Sequence, residues 1–201
     1  HVNIDEILNQ AEKYIDERFP DTTIFEGAAT SDPVPVEPYT HSLERAIIFF
    51  SSRKNARFRF VTKYNDVDSL LNLEHNGNTE IRFSINTPSI INRFEHATAS
   101  LDKRIEASMK VSQAGYPIGF LIAPVFIYTN WKEEYHDMLI GLKDKFPHDL
   151  KYPVTFEIIS HRYTTIAKNR ILQIFPQSKL PMNDKERKFK YGQFGYGKYV
   201  Y

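Results

Sequence analysis

Five short stretches of the chain carry side chains able to hold a ligand: Gly27-Ala28-Ala29-Thr30-Ser31-Asp32, Thr62-Lys63-Tyr64, Ser84-Ile85-Asn86, Ala123-Pro124 and Ser160-His161-Arg162. Together they offer small hydroxyls, a lysine, an amide and a histidine–arginine pair. Such a set supplies donors and two fixed cations, and suits a ligand with hydroxyl, carboxylate or phosphate groups. Each member also has a plain structural use. Ser31 and Asp32 suit the cap of a turn, and Lys63 suits a solvated strand-end charge. The His161-Arg162 pair is the strongest candidate of the set, because both residues fall where a strand is expected to end. His75, His96, His136 and His148 show no metal-ligand spacing and read as ordinary loop or surface histidines. No Ser-His-Asp triad emerges from spacing. The glycine cluster from Gly192 to Gly197 lacks the following helix that a dinucleotide site needs.

Those stretches matter because of the elements expected to position them. Apolar residues at three- and four-residue spacing from Ile4 to Ile15 predict a helix, with Asn3 as its N-cap and Pro20 as its stop. Further helices are expected over Ser42–Arg53 with Ser42 as cap, over Asn65–Leu73, Leu101–Gln113, Trp131–Phe146 and Thr164–Phe175. Strand signals lie at Thr22–Glu26, Arg57–Lys63, Glu80–Ile85, Tyr116–Phe126 and Tyr152–His161. The stretch holding Pro33, Pro35 and Pro38 reads as a loop. Strands alternating with helices predict a parallel sheet of βα units, an open sheet or a curved partial barrel. In such a sheet all five stretches sit at strand C-termini and face one mouth.

The 201 residues are 41% hydrophobic and 25% charged, which excludes overall disorder. Lys and Arg number 26 against 25 Asp and Glu, so any nucleic-acid contact must be a local patch. The last 23 residues provide one: six basic side chains against two acidic ones, interleaved with Phe189, Tyr191, Phe194, Tyr196, Tyr199 and Tyr201. Glycines at 192, 195 and 197 predict a β-hairpin there. Its aromatics either dock on the body of the protein or stack against bases. The chain is expected to divide into residues 1–176 and a basic aromatic tail, 177–201. With no cysteine it offers no disulfide and no thiolate ligand for zinc or iron. No apolar run is long enough to span a membrane, and a cytoplasmic monomer is expected. The chain starts at His1 without Met and looks like a piece of something longer.

Several segments resemble the spore photoproduct lyase family: Phe25 to Pro33 (FEGAATSDP), Arg59 to Tyr64, Arg82 to Asn86, Gln113 to Pro117, Phe156 to Arg162, and the closing Tyr191 to Tyr201. The resemblance covers nearly the whole chain. It implies a partial (β/α)6-type radical-SAM barrel lacking its first strand, with a C-terminal hairpin. It also implies an enzyme that reverses the thymine–thymine spore photoproduct in DNA, using S-adenosylmethionine and a 4Fe-4S cluster. Ser31, Lys63, Ser84 and Ala123 match positions lining the family's S-adenosylmethionine pocket. His161 and Arg162 match the lesion side. The hairpin from Gln193 through Phe194, Gly195 and Tyr196 to Gly197 matches the element that enters the DNA, and the tail cations Lys188 and Lys190 are expected to contact the DNA beside it. Three departures stand out. The cluster's CxxxCxxC motif is expected before His1, so neither cofactor is expected to stay on this chain alone, and no metal site is expected within it. Ala29 stands where the family has a hydrogen-donating cysteine, and Gln193 where an arginine is expected. Alternatives are a non-catalytic DNA-binding module and a radical-SAM relative with another substrate.

Overall fold

Alternation along the strands decides which way the sheet faces. In the computed structural model, which describes residues 3–147, 149–192 and 197–201, five parallel strands pair in chain order: β1 (Thr23–Gly27), β2 (Ala56–Thr62), β3 (Thr79–Ile85), β4 (Ile118–Val125) and β5 (Thr155–Ser160). Phe58, Phe60, Ile81, Phe83, Ile118, Phe120 and Ile122 point to one face and form the core. Their neighbours Arg57, Arg59, Glu80 and Arg82 point to the other. Strands added in sequence, always on the same side, carry their right-handed crossovers on one face. The sheet therefore curls as a half-barrel, with helices outside and a polar concave face inside.

The helices are α1 (Ile4–Glu17), α2 (Glu37–Thr40), α3 (Ser42–Ser51), α4 (Pro88–Phe94), α5 (Leu101–Gln113), α6 (Trp131–Lys145) and α7 (Thr165–Ile174). Helix α3 packs Leu43, Ala46, Ile47 and Phe50 on the sheet, and the Phe50 ring stacks on Phe58 at 5.2 Å. Burying each such ring contributes about 2 kcal/mol. Among the described residues no helix is long and apolar enough to cross a membrane.

Several local expectations need correction. Asn3 holds the expected N-cap position of α1, its carbonyl accepting from the Ile7 amide, but its side chain makes no capping bond and its amide donates to Glu6. Ser42 does not cap α3. Glu37 does, its two carboxylate oxygens accepting from the amides of Leu43 and Glu44 at 2.7 and 2.9 Å. The proline stretch is no open loop: Val34–Val36 forms a 3-10 turn that leads into α2. Asn65–Leu73 shortens to a 3-10 turn at Asp68–Leu70, which buries Val67 and Leu70 in the core. Helix α4, unexpected, opens with Pro88 at its first turn. The two last strands are shorter than the apolar runs that suggested them. His75 is buried rather than superficial: it stacks on Tyr116 with ring centroids 3.6 Å apart, and its Nδ1 accepts from the Gly77 amide. That bond closes a turn with Gly77 at φ +74°. Burial lowers the His75 pKa.

The tail forms the expected hairpin from β6 (Lys188–Tyr191) and β7 (Gly197–Val200), paired antiparallel. His148 lies outside the described residues.

Candidate functional site

Beneath the strand C-termini a cavity of about 370 Å³ is lined by the loop from Ala28 to Asp32, by Glu26, Val61, Thr62, Lys63 and Ser84, and by Leu121 and Ala123. A larger cavity, about 420 Å³, opens at the opposite, N-terminal ends of the strands around Arg57, Asn78 and Tyr152. The smaller one is the better candidate, because ligands of parallel α/β sheets meet strand C-termini. An ion network on the concave face reaches it through Glu26. Arg59 donates to Glu26 at 2.6 Å, and Arg82 bridges Glu26 and Glu157, the latter at 2.7 Å. Gly119, opposite Arg82 on β4, leaves room for that reach, since a Cβ there would collide with Thr155 and press on the Arg82 stem.

The walls are tied by carboxylates. Asp32 accepts from the Thr62 hydroxyl at 2.8 Å and from the Lys63 amide at 2.7 Å, and turns its own loop through the Val34 amide. This joins the loop after β1 to the end of β2. The Lys63 ammonium lies 2.9 Å from Glu95, whose other oxygen is 2.7 Å from Arg104. Arg104 is fully buried and also donates to the carbonyls of Ala99 and Ser84, each at 2.8 Å.

Beyond β5 a second polar construction holds the tail. Arg187 donates to the His161 carbonyl at 3.0 Å, to the Pro181 carbonyl at 2.7 Å and to His161 Nδ1 at 3.2 Å. Its guanidinium lies 3.4 Å from the centroid of the Tyr201 ring. His161 stacks on Phe126 at 4.6 Å. Burial, with the Arg187 charge beside it, pushes its pKa down to about 4, so the imidazole is neutral and Nδ1 is free to accept. Tyr163 donates to Asp184 at 2.9 Å, and burial and that carboxylate push its pKa up to about 12. Lys168 pairs with Asp184 at 2.9 Å and holds its pKa down. Tyr163 also bridges to Tyr199 of β7 through two backbone bonds, 2.7 and 3.2 Å.

The sequence model of spore photoproduct lyase matches residues 1–201. The chain belongs to the spore photoproduct lyase family. Curated spore photoproduct lyases from Clostridium acetobutylicum and Bacillus subtilis are 55% and 46% identical to it over all 201 residues. The chain spans 59% of the length of each. A solved spore photoproduct lyase complexed with dinucleoside spore photoproduct is similar with a TM-score of 0.94 at 45% identity, over 100% of this chain and 59% of that one. A variant with bound AdoMet and dinucleoside spore photoproduct gives the same TM-score at 46% identity and the same coverage.

Of the residues that the spore photoproduct lyase resemblance singled out, Ala29, Ser31, Lys63, Ser84 and Ala123 line one cavity. His161 and Arg162 do not join them. His161 is taken up by the tail clamp and Arg162 is exposed, so the expected second cation is missing from the cavity wall. Asn86 is buried, donating to the Pro124 carbonyl at 2.8 Å and accepting from Tyr135 at 2.7 Å. Lys188 and Lys190 are exposed on β6, while Gln193, Phe194, Gly195 and Tyr196 lie outside the described residues. Sequence reasoning missed Glu95, Arg104 and the concave ion network. It treated Arg187 as one more tail charge. A signal existed for Arg104, which falls on the apolar stripe of α5 in line with Ser108 and Val111. Ligand-type atoms of Glu37, His41 and Glu44 come within 4.8 Å of one another, but Glu37 is spent on capping α3.

Proposed function

We propose that the protein carrying this chain reverses the thymine–thymine spore photoproduct in DNA, with S-adenosylmethionine in the strand-end cavity. One observation carries the reading: the four residues expected around that cofactor, Ser31, Lys63, Ser84 and Ala123, converge with Ala29 on one cavity of suitable size for a nucleoside-bearing ligand. The donor set fits. The Lys63 ammonium suits a carboxylate, Ser31 and Ser84 suit ribose hydroxyls, and Ala28, Ala29 and Ala123 leave space. The chain has no cysteine and so contributes no thiolate to a 4Fe-4S cluster. When bound with that cluster, S-adenosylmethionine supplies hydrogen-atom abstraction from the lesion. The half-barrel is read as a radical-SAM (β/α)6 barrel whose first strand is not among these residues. Residues 1–176 hold the cofactor side, and residues 177–201 bring exposed lysines and aromatics to the DNA.

Ala29 shapes the outcome. A methyl C–H bond is too strong to return a hydrogen atom to a thymine radical, so this position cannot play the cysteine's part. In a protein of its relatives' length carrying these residues, the lesion should open and give trapped by-products. Ala29→Cys should restore thymine as the main product, read by mass spectrometry of a lesion-containing oligonucleotide. Quantitative repair with Ala29 in place would assign hydrogen return to another donor. For the cavity itself, calorimetry on this chain should give a weak S-adenosylmethionine affinity, about −4 to −6 kcal/mol. Nanomolar binding would show that the main determinants lie elsewhere.

A further inference from the structure

Lys63 is held at every polar atom it has. Its amide donates to Asp32 at 2.7 Å, its carbonyl accepts from the Ala99 amide at 3.3 Å, and its ammonium lies 2.9 Å from Glu95. A lysine at a cavity wall ordinarily swings on four rotatable bonds and loses that freedom when it binds. Here the direction is fixed in advance by a carboxylate whose side chain is only 6% exposed.

That carboxylate is itself anchored. A buried carboxylate needs compensation, and Glu95 receives it as charge from Arg104, whose side chain is 0% exposed and whose guanidinium lies 2.7 Å from an oxygen that accepts no hydrogen bond. Arg104 in turn spans the loop around Glu95, through the Ala99 carbonyl and the Thr98 hydroxyl, and the carbonyl of Ser84 at the end of β3. The two cations and one carboxylate carry one net positive charge, and Lys63 is the member that lines the cavity. The contact with Glu95 is an ion pair, and the ammonium keeps N–H donors for a ligand.

We propose that Glu95, anchored by Arg104, is a positioning residue that aims the Lys63 ammonium at the carboxylate of the cavity's ligand. The proposal rests on the reading of that cavity as an S-adenosylmethionine site. Glu95 touches no ligand in this scheme, since it does not line the cavity. Its part is to hold Lys63 extended toward the cavity and to leave the trio one unit positive.

The test compares two ligands on this chain by calorimetry: S-adenosylmethionine and its decarboxylated analogue. Lys63→Met should weaken the first about tenfold and the second less than about twofold, as loss of a charged hydrogen bond does. Glu95→Gln should reproduce that selectivity, weakening S-adenosylmethionine about tenfold, the usual cost of removing a group that orients a ligand-binding side chain. A loosened fold would weaken both ligands alike, so the ratio separates positioning from general damage. Should Glu95→Gln melt below the assay temperature, Glu95→Asp keeps the charge near Arg104 while withdrawing from Lys63, and should show the same selective loss. Unchanged affinity, or equal weakening of both ligands in a folded Glu95 variant, overturns the proposal. If Lys63→Met itself fails to discriminate the ligands, the carboxylate reading of the cavity falls instead.

Discussion

The strand-end cavity and the tail clamp stand at the same end of the sheet, yet they are built from opposite materials. Around the cavity the ties are carboxylates, the half-buried Asp32 and the buried Glu95 side chain, gripping amides, a hydroxyl and cations from neighbouring elements. In the clamp the central cation, Arg187, meets two carbonyls, a neutral imidazole and an aromatic face. An imidazole tie holds only while the ring stays unprotonated. The cavity is therefore a fixed part of the half-barrel, whereas the tail is a separately fastened element.

The comparison breaks most visibly at Arg104. Arg104→Met leaves Glu95 buried without its strongest partner, and removing one member of a buried pair costs about 3–5 kcal/mol. Urea denaturation should show that loss for the whole half-barrel, in one transition. A change below about 1 kcal/mol would show that Glu95 is reached by water and that the cavity is less rigid than its hydrogen bonds suggest.

Acid should act on the clamp through His161. His161 has a folded pKa of about 4 against an ordinary 6.5, so between those values the unfolded chain binds more protons. Stability is full above about pH 6.5 and falls as pH drops toward 4, by at most about 3 kcal/mol. Below that window this ring adds nothing further. The charged groups facing it are on Arg187, with Lys168 and Asp184 beyond Tyr163. His75 is shifted in the same direction, so the measurement is the His161 ring resonance by NMR, followed with the amides of β6 and β7. A His161 midpoint near 6.5 would remove the pH sensitivity from the clamp.

Arg187→Met tests the fastening without protons. It deletes hydrogen bonds from a charged donor, each contributing about 1.5–3 kcal/mol when partly buried. The β6–β7 amides should lose about thirtyfold of their exchange protection, while those of β2 and β3 keep theirs. Equal loss in both sheets would make the tail an integral part of the half-barrel.

How much of this is legible in the sequence differs between the two regions for a physical reason. The strands announce themselves because their alternation is local, and the cavity residues follow from the rule that βα loops gather at one end of the sheet. Ala29, Ser31, Lys63, Ser84 and Ala123 can thus be named together. Their supports cannot, because Lys63 with Glu95 and His161 with Arg187 are pairs made by folding, between segments that no periodicity links. The strand-end rule alone assigns His161 and Arg162 to the cavity. That rule locates a backbone and says nothing of which competing partner, here Arg187, captures the side chain. Helix α4 is within reach, since Pro88 following Thr87 is an N-terminal signal, but its short apolar run has no full turn of periodicity to support it.

The smallest effect on stability should come from the tail lysines. Lys188 and Lys190 alternate with the aromatic Phe189 and Tyr191 along β6, so they share one face of the hairpin, and Lys190 sits directly opposite Lys198 of β7. Like charges facing across an antiparallel pair repel, and their cost is recovered only when an anion arrives. Lys188→Gln with Lys190→Gln should therefore leave the melting behaviour within about 0.5 kcal/mol of the parent, in contrast to Arg187→Met. The same pair should lower the dependence of DNA affinity on salt by about one unit of log–log slope for each phosphate no longer neutralised. Both readouts come from one protein preparation, a denaturation curve and a salt titration with a fluorescent duplex. An unchanged slope would place the DNA-facing surface away from β6, and a large drop in stability would return these lysines to the fastening that Arg187 provides.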